Sequence, residues 1–241
     1  HSAGVGTAWG YVTGTEDDLD DGDADGDGDV DEDDLDIVDE NFPQPNPPLP
    51  EDELVPPPTN LSGDLDFDGD VDEDDFEIWL NNYSGNVFLV TNEVDEDDNN
   101  YSFGDLSLRE ALELADATTG SDKIRFAPWV NEIDLNGSHL EIDAGNNVTI
   151  KGRGADKLTI DAADLSRVFY VDPGVEVTMS GLTITGGLTD HGAGILNTGD
   201  LTLIDVAVTG NNASASNSHG GGIFTGSGAS LHLIRTTVDD N

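Results

Sequence analysis

Short runs in which apolar and polar residues alternate follow one another through most of the chain after Lys123. An apolar residue at every second position is typical of a β-strand with one buried face. Turns rich in Gly and Asn separate the runs. The pattern predicts a series of short strands built around these apolar pairs: Val148/Ile150, Leu158/Ile160, Val168/Tyr170, Val177/Met179, Leu182/Ile184, Leu201/Leu203, Val206/Val208 and Leu231/Leu233.

These strand-forming runs are themselves repeated along the chain. Val177–Gly187 aligns without gaps with Leu201–Asn211, and that segment aligns with Leu231–Asn241, at steps of 24 and 30 residues. Such a period predicts a solenoid, in which each turn buries its face only against its neighbours. We therefore predict a mostly β fold, a right-handed parallel β-helix, over residues 86–241. Because the repeat is still running at Asn241, we expect this domain to be truncated at its C-terminus.

One amphipathic helix is predicted before these strands. Ser107 is followed three residues later by Glu110, which is the capping-box pattern of a helix N-terminus. The following apolar residues share one face of a short helix: Leu108, Ala111, Leu112 and Ala115. The open end of a solenoid exposes unpaired strand edges, and an amphipathic helix can cover them. We therefore predict an N-terminal helical cap and a structural role for Arg109 within it.

A different repeat lies nearer the N-terminus. Asp23–Asp34 and Asp64–Asp75 are identical at ten of twelve positions and offset by 41 residues. Apolar residues at helical spacing follow both copies: Leu35, Ile37, Val38 and Phe42 after the first, Phe76, Ile78, Trp79 and Tyr83 after the second. We predict a small α module of two loop–helix units over residues 20–84. Its proline-rich segment, residues 43–58, is predicted to be an extended spacer, and residues 1–19 an unstructured N-terminal piece.

The charge of the chain is concentrated in its first part. The net charge is −44, and residues 1–100 hold 33 Asp and Glu with no Lys or Arg. A surface this negative repels phosphate backbones, so nucleic acid is excluded as a partner. There is no cysteine, which excludes disulfides and thiolate metal sites. No apolar run reaches the roughly 20 residues that a membrane-spanning helix needs. Cations are the expected partners.

The two Asp-rich repeats have the spacing of calcium-binding loops. An EF-hand-type loop places oxygen ligands at positions 1, 3, 5, 7, 9 and 12, with Gly at position 6. Gly28 and Gly69 occupy that turn position, and Val30 and Val71 follow two residues later. Carboxylate oxygens without His or Cys select Ca²⁺ over transition metals. We predict two calcium ions, bound by Asp23, Asp25, Asp27, Asp29, Asp31 and Asp34 and by Asp64, Asp66, Asp68, Asp70, Asp72 and Asp75.

Two Asp loops, each followed by a helix and without a helix in front, resemble the dockerin module of secreted polysaccharide-degrading systems. The resemblance covers about residues 20–84, and Thr15–Leu19 offers no convincing incoming helix. It implies calcium binding and a cohesin-like protein partner. Positions 10 and 11, which read that partner, are Glu32-Asp33 and Glu73-Asp74 here. Familiar dockerins carry small hydroxyl or apolar residues at these positions. An intramolecular or surface-anchoring role of the module is therefore as open as binding to a cohesin.

The second part of the chain resembles another group of proteins. The segment from Leu106 to Ala111 is similar to the CSLREA motif that precedes β-helix repeats in large bacterial surface proteins, with Leu106 in place of Cys. The Gly-rich stretches that begin at Gly181, Gly192 and Gly220 are similar to polymorphic outer-membrane-protein and autotransporter-like repeats. This resemblance covers about residues 86–241. It implies an extracellular or bacterial cell-surface location.

Many β-helices are pectate-lyase-like or polygalacturonase-like enzymes, which need a carboxylate cluster or a basic catalytic residue. None of the candidate residues for such a site stands in a hydrolase-type Asp-Asp pair, and the His residues are scattered without metal or triad spacing. We therefore assign no catalytic residue. The titratable residues considered for such a site are Asp143, Asp161, Asp164, Asp172, Asp190, Asp205, Lys151, Arg153, Lys157 and Arg167.

Three functions fit these patterns. The first is a secreted or cell-surface calcium-binding protein, whose β-helix is a stalk or adhesin that binds polysaccharide or a protein partner. The second is a polysaccharide lyase or glycoside hydrolase tethered by its dockerin-like module. The third is a purely structural spacer. The missing catalytic cluster and the resemblance to surface proteins favour the first.

Overall fold

A computed structural model describes residues 22–42, 63–65, 71–83, 85–143, 147–214 and 219–241. The chain divides into two compact units, His1–Gly85 and Asn86–Asn241. The described residues contain three short helices, named α1 to α3, and seventeen strands, all of which pair in parallel. The predicted N-terminal piece, residues 1–19, and the predicted spacer, residues 43–58, lie outside the described residues.

Two helices of equal length form the described core of the first unit. Helix α1 is Glu32–Asn41 and helix α2 is Glu73–Asn82. Each begins with a capping box, in which the Asp at the N-cap and the Asp three residues later exchange hydrogen bonds with backbone N–H groups. The buried apolar residues of the helices lie on the predicted faces, Leu35 and Val38 on α1 and Phe76 and Trp79 on α2, and Ala24, Leu65 and Val71 of the loops are buried as well.

The second unit is a parallel β-solenoid built from three sheets. Sheet A has the strand order β1-β2-β5-β8-β12-β16, sheet B the order β17-β13-β9-β6-β3, and sheet C the order β15-β11-β7-β4. A fourth, two-stranded sheet pairs β10 with β14. The strand bounds are β1 Val87–Val90, β2 Asp122–Phe126, β3 Glu132–Asp134, β4 Leu140–Ile142, β5 Val148–Lys151, β6 Thr159–Asp161, β7 Phe169–Val171, β8 Glu176–Ser180, β9 Thr183–Thr185, β10 Leu188–Thr189, β11 Ile195–Asn197, β12 Asp200–Ile204, β13 Ala207–Thr209, β14 Asn212–Ala213, β15 Ile223–Thr225, β16 Ser230–Ile234 and β17 Thr237–Asp239.

The register of sheet A matches the gapless repeat in the sequence. Val177 lies opposite Leu201, and Leu201 lies opposite Leu231. Val177 and Leu201 have no exposed surface, whereas Leu231 lies in the outermost strand of the sheet and is partly exposed. Alternating side chains of stacked strands therefore form one continuous core, and the predicted parallel β-helix is confirmed.

One predicted strand has the opposite phase. The alternation of Val168 with Tyr170 placed both on the same face, but strand β7 begins at Phe169. Phe169 and Val171 are fully buried, and Tyr170 between them points outward and is half-buried. Val168 is also buried, although it precedes the strand and belongs to the turn. Four apolar or aromatic residues in succession, Val168 to Val171, conceal the period, so sequence alone cannot assign the face.

Helix α3, Leu108–Ala117, packs against strands β1, β2 and β4. The predicted capping box is present, because the Ser107 side chain accepts a hydrogen bond from the Glu110 N–H and the Glu110 carboxylate accepts one from the Ser107 N–H. Its predicted apolar face is buried: Leu108, Ala111, Leu112 and Ala115. The neighbouring Arg109 forms a two-point ion pair with Asp95, at 2.8 Å for both contacts, and donates to the carbonyls of Ser138 and His139. These contacts fix the helix to the first rung and its preceding loop.

Candidate calcium loops and solenoid surface

The first Asp loop is folded around the side chain of Asp23. Its carboxylate accepts hydrogen bonds from the N–H groups of Gly26 at 2.7 Å, Asp27 at 3.1 Å and Gly28 at 2.9 Å. Gly28, at position 6, has a φ of 100°, a conformation that side chains rarely adopt. Short-range bonds between side chain and backbone therefore close the loop into a ring, as the spacing of Asp and Gly predicts.

The last residue of this loop joins the ring to helix α1. The Asp34 carboxylate accepts hydrogen bonds from the N–H of Asp25 at 3.1 Å and the N–H of Asp31 at 2.7 Å. Asp31 is the N-cap of α1, and its own carboxylate accepts from the N–H of Asp33. Asp34 is 1% exposed. The predicted ligand positions 9 and 12 are thus held in place by the start of the helix.

Three of the predicted ligands converge in the first loop. Carboxylate oxygens of Asp23, Asp25 and Asp27 lie within 4.8 Å of one another. The other three predicted ligands do not belong to this group: Asp29 and Asp31 are exposed, and Asp34 is buried. Hard oxygen donors at this density have the chemistry of a calcium site, in which flexible geometry and several carboxylates are usual. The donor set fits the predicted ion.

Crowding of these carboxylates disfavours their ionised forms. Burial and the charges of Asp27, Asp23 and Asp31 raise the pKa of Asp25, although a hydrogen bond from the Asp27 backbone opposes them. The charge of Asp27 is the main cause of a raised pKa at Asp29. Burial raises the pKa of Asp34 against three backbone hydrogen bonds. A bound cation would relieve this repulsion, which is the electrostatic condition expected of a cation site.

The second loop is described only in part. Asp64, Asp72 and Asp75 are within the described residues, whereas Asp66, Asp68 and Asp70 lie outside them. The Asp75 carboxylate accepts hydrogen bonds from the N–H of Leu65 and, at 2.7 Å, from the N–H of Asp72. Asp64 and Asp75 are 5% and 1% exposed. The described ends of this loop therefore repeat the arrangement around Asp34.

A tryptophan connects the second loop–helix unit to the first loop. The Trp79 indole N–H donates a hydrogen bond to the backbone carbonyl of Asp31 at 2.7 Å. Trp79 is fully buried on α2, and its ring packs on Tyr83 with centroids 4.8 Å apart. The corresponding position on α1 is Val38, which has no such donor. Trp79 is thus an internal probe of the geometry at a predicted ligand residue.

A second group of carboxylates, which the sequence pattern did not reveal, lies on sheet B. Ligand oxygens of Glu132, Asp134 and Asp161 lie within 4.8 Å of one another, and Asp134 pairs directly with Asp161 across the sheet. Glu132 and Asp134 are exposed. The group arises because strand pairing joins residues 27 positions apart. Exposed acidic residues of this kind are common without an ion.

The titratable residues considered for an enzyme site are mostly used in turns. Arg167 donates to the carbonyls of His191 and Gly192, and Arg153 donates to the Pro128 carbonyl. Asp205 forms a two-point ion pair with Arg235 at 2.6 Å on the surface. Within the described part of the chain, Asp161 is the one residue of this set that belongs to a carboxylate group able to hold a metal ion, the group on sheet B.

Two histidines that the sequence pattern left scattered are adjacent. The rings of His191 and His219 stack with centroids 5.4 Å apart. Each histidine directly precedes one of the matching Gly-rich stretches, at Gly192 and Gly220. Alignment of these two stretches could therefore have predicted that the histidines are neighbours.

Comparison of the chain with protein-family models, with curated proteins and with solved structures finds no match. Within the described ranges, the helices are too short and too polar for any to cross a bilayer.

Proposed function

We propose that the chain is an extracellular or bacterial cell-surface calcium-binding protein. In this proposal, a dockerin-like module with two Asp loops carries a right-handed β-helix that serves as a stalk or adhesin. The observation that carries the proposal is the convergence of the Asp23, Asp25 and Asp27 carboxylates within 4.8 Å of one another. Together with the ring of backbone hydrogen bonds around Asp23, this donor set suits a hard divalent cation.

Ion-linked folding is the proposed mechanism of the module. Five of the six Asp residues predicted as ligands of each loop would bind through their side chains, and the Asp at position 7 through its backbone carbonyl. Mutual repulsion of these carboxylates opposes the folded loop when no cation is bound. Bound Ca²⁺ supplies the compensating positive charge, and its binding free energy then appears as folding free energy. We expect affinities in the weak range of extracellular modules, about 10⁻⁵ to 10⁻³ M.

Calcium titration of the full chain, followed by far-UV circular dichroism and by tryptophan fluorescence in the unchanged chain and in Trp79→Phe, tests the proposal. Trp79 should respond because its indole N–H bonds to the carbonyl of Asp31, a predicted ligand residue. Spectra that are identical in chelator and in millimolar Ca²⁺ would contradict calcium binding. The double variant Asp64→Ala/Asp68→Ala should lose the response of the second loop.

A pair of matched variants separates ligation from charge. Asp25→Asn and Asp33→Asn each remove one negative charge from the same loop, but only Asp25 belongs to the converging group. We expect Asp25→Asn to raise the calcium midpoint about tenfold or more, since ligand charge tunes affinity in such loops. Asp33→Asn should leave it nearly unchanged. Equal shifts in both variants would indicate a diffuse charge effect instead of a site.

A further inference from the structure

A row of outward-facing side chains crosses sheet C from one strand to the next. Glu141, Tyr170, Leu196 and Phe224 lie directly opposite one another in the parallel register of β4, β7, β11 and β15. Neighbouring rungs are about 4.8 Å apart, so Tyr170 and Phe224 are separated by about 10 Å along the solenoid axis. We call these four residues the sheet C row. Tyr170, Leu196 and Phe224 are each half-buried.

Rings from the preceding turns flank both aromatic members of the row. The His139 ring meets Tyr170 edge-on with centroids 6.0 Å apart, and the Arg167 guanidinium lies 5.8 Å from the Tyr170 ring centre. The His191 ring lies 5.6 Å from Phe224. The outer surface of sheet C therefore presents two groups of planar side chains, one on either side of Leu196.

Hydrogen bonds hold these planar groups in fixed positions. Arg167 donates from Nε to the Gly192 carbonyl at 2.9 Å and from a terminal nitrogen to the His191 carbonyl at 3.0 Å. The backbone N–H of His219 donates to Nδ1 of His191 at 3.0 Å. Arg167, which lies beside Tyr170, thereby holds the turn that contains His191, whose ring lies beside Phe224. A surface fixed before binding loses little side-chain entropy when a ligand arrives.

The chemistry of this surface suits the faces of sugar rings. Aromatic faces carry partial negative charge and attract the C–H groups that line one face of a pyranose. Imidazole and guanidinium N–H groups beside the rings, and the Glu141 carboxylate, can bond the hydroxyl groups at the sugar rim. One rung is close to the length of one hexose residue, so a chain lying along the axis meets the Tyr170 and Phe224 rings about two residues apart.

The charges around the row select a neutral chain. A cavity of about 430 Å³ adjoins Glu141, the first member of the row. Its lining includes Arg109, which is paired with Asp95, and four carboxylates: Glu113, Asp116, Glu141 and Asp143. At this end of the row their charge, together with the excess of 24 acidic over 8 basic residues in the unit Asn86–Asn241, repels polyuronates and sulfated glycans. Unlike them, a neutral polysaccharide gains the ring contacts without this repulsion.

We propose that the sheet C row is a non-catalytic binding surface for a single neutral polysaccharide chain that lies along the solenoid axis. The inference rests on the proposed role of the β-helix as the binding part of a surface protein. It does not depend on calcium, because every residue that carries it belongs to the unit Asn86–Asn241.

Affinity electrophoresis of the full chain tests the proposal. The gels contain galactomannan, xyloglucan or a mixed-linkage β-glucan as neutral probes, and polygalacturonate as the anionic probe. We expect retardation by at least one neutral polymer and none by polygalacturonate. Tyr170→Ala and Phe224→Ala should each weaken that binding about tenfold or more, as expected of central aromatic contacts. Tyr170→Phe, which keeps the ring, should bind nearly as well as the unchanged chain.

Leu165→Ala is the matched control, because Leu165 is a large apolar residue, 65% exposed, that lies outside the row. Thermal melting verifies that each variant is folded. Because the two aromatic variants change different strands, failure of one to fold still leaves the other as a test. Absence of retardation by every neutral probe would overturn the proposal, as would unchanged binding by both aromatic variants or a preference for polygalacturonate. The change in tryptophan fluorescence on adding Ca²⁺ to the same samples tests calcium binding independently of polysaccharide binding.

Discussion

At the scale of single residues, the second unit contains a buried carboxylate surrounded by donors. Glu110 has no exposed surface and accepts hydrogen bonds from the N–H groups of Asp98, Asn99 and Ser107 and from the Ser107 hydroxyl, at 3.0 to 3.2 Å. Burial by itself raises the pKa of Glu110, but these hydrogen bonds outweigh it and place the pKa below its ordinary value of 4.5. The ionised form therefore stabilises the folded cap.

The lowered pKa of Glu110 predicts acid sensitivity of the second unit. Between the pKa values of the unfolded and folded states, the unfolded chain binds more protons. The stabilisation is thus present above pH 4.5 and is lost as the pH falls through the lower, folded value. Glu110→Gln should destabilise the unit by about 2 kcal/mol at pH 7, because buried donors lose their acceptors. It should also flatten the fall in melting temperature below pH 4.5.

Glu113→Gln is the control for this prediction, since it makes the same chemical change on the same helix. Burial and the charges of Asp97 and Glu110 raise the pKa of Glu113, so its ionisation opposes folding. This variant should keep the steep acid loss of the unchanged chain. Parallel stability curves for Glu110→Gln and the unchanged chain would refute the assigned role of Glu110.

At the scale of elements, an asparagine joins successive turns of the solenoid. The Asn211 side chain donates to the carbonyls of Ile184 and Thr209, both at 3.0 Å, and accepts from the N–H of Gly187 at 2.9 Å. Asn211 is 1% exposed. In the next rung, Asn241 occupies the repeat-equivalent position and its side chain accepts a hydrogen bond from the Asn211 side chain. Stacked turns thereby satisfy backbone groups that strand pairing leaves open.

Asn211→Ala should destabilise the second unit by about 2 kcal/mol, because it removes bonds from buried backbone groups in adjacent turns. Urea denaturation followed by far-UV circular dichroism measures the loss. Asn212→Ala is the matched control, since Asn212 is the exposed neighbour in the same turn. If the two variants were equally stable, the side chain of Asn211 would not be a structural connection between rungs.

At the scale of the whole molecule, the two compact units differ in charge and in expected ion dependence. The converging Asp loop belongs to the unit His1–Gly85, and the stacked core belongs to the unit Asn86–Asn241. The residues from 101 onward carry all eight basic side chains of the chain. Ion pairs such as Arg109–Asp95 stabilise the second unit without a bound cation.

Calcium should therefore shift one of two thermal transitions. At a free Ca²⁺ concentration of about one hundred times the dissociation constant, the first unit gains about 2.7 kcal/mol. Differential scanning calorimetry of the full chain should show that only the transition of the first unit moves. In the Asp64→Ala/Asp68→Ala variant this movement should be reduced. A calcium-dependent shift of both transitions would show that the second unit also depends on calcium, against the proposed division.

Much of the solenoid could be predicted because its signal is local. Val177 and Met179 alternate with polar residues, and the same spacing recurs at Leu201 and Leu203, so both the strand and its buried face follow from the chain. The phase of β7 could not be predicted, because Val168, Phe169 and Tyr170 are consecutive large side chains without an alternation. Only packing between rungs turns Tyr170 outward.

The candidate sites divide in the same way. The ring around Asp23 is closed by bonds that reach at most five residues along the chain, so the spacing of Asp and Gly is sufficient to predict it. The sequence also determines how many Asp carboxylates the loop contains and how they are spaced. Whether a calcium ion occupies the ring stays a prediction.

What the sequence by itself determined is therefore what depends on short separations: the helix cap at Ser107, the inward alternation of the strands and the folded Asp loop. The tertiary structure decided which outward side chains become neighbours. Successive rungs differ in length, with steps of 24 and 30 residues. Which residues share a row therefore depends on how the extra residues of the longer rung fold between its strands. Contacts such as His191 with Phe224, or Arg109 with Asp95, exist only because packed strands select one register.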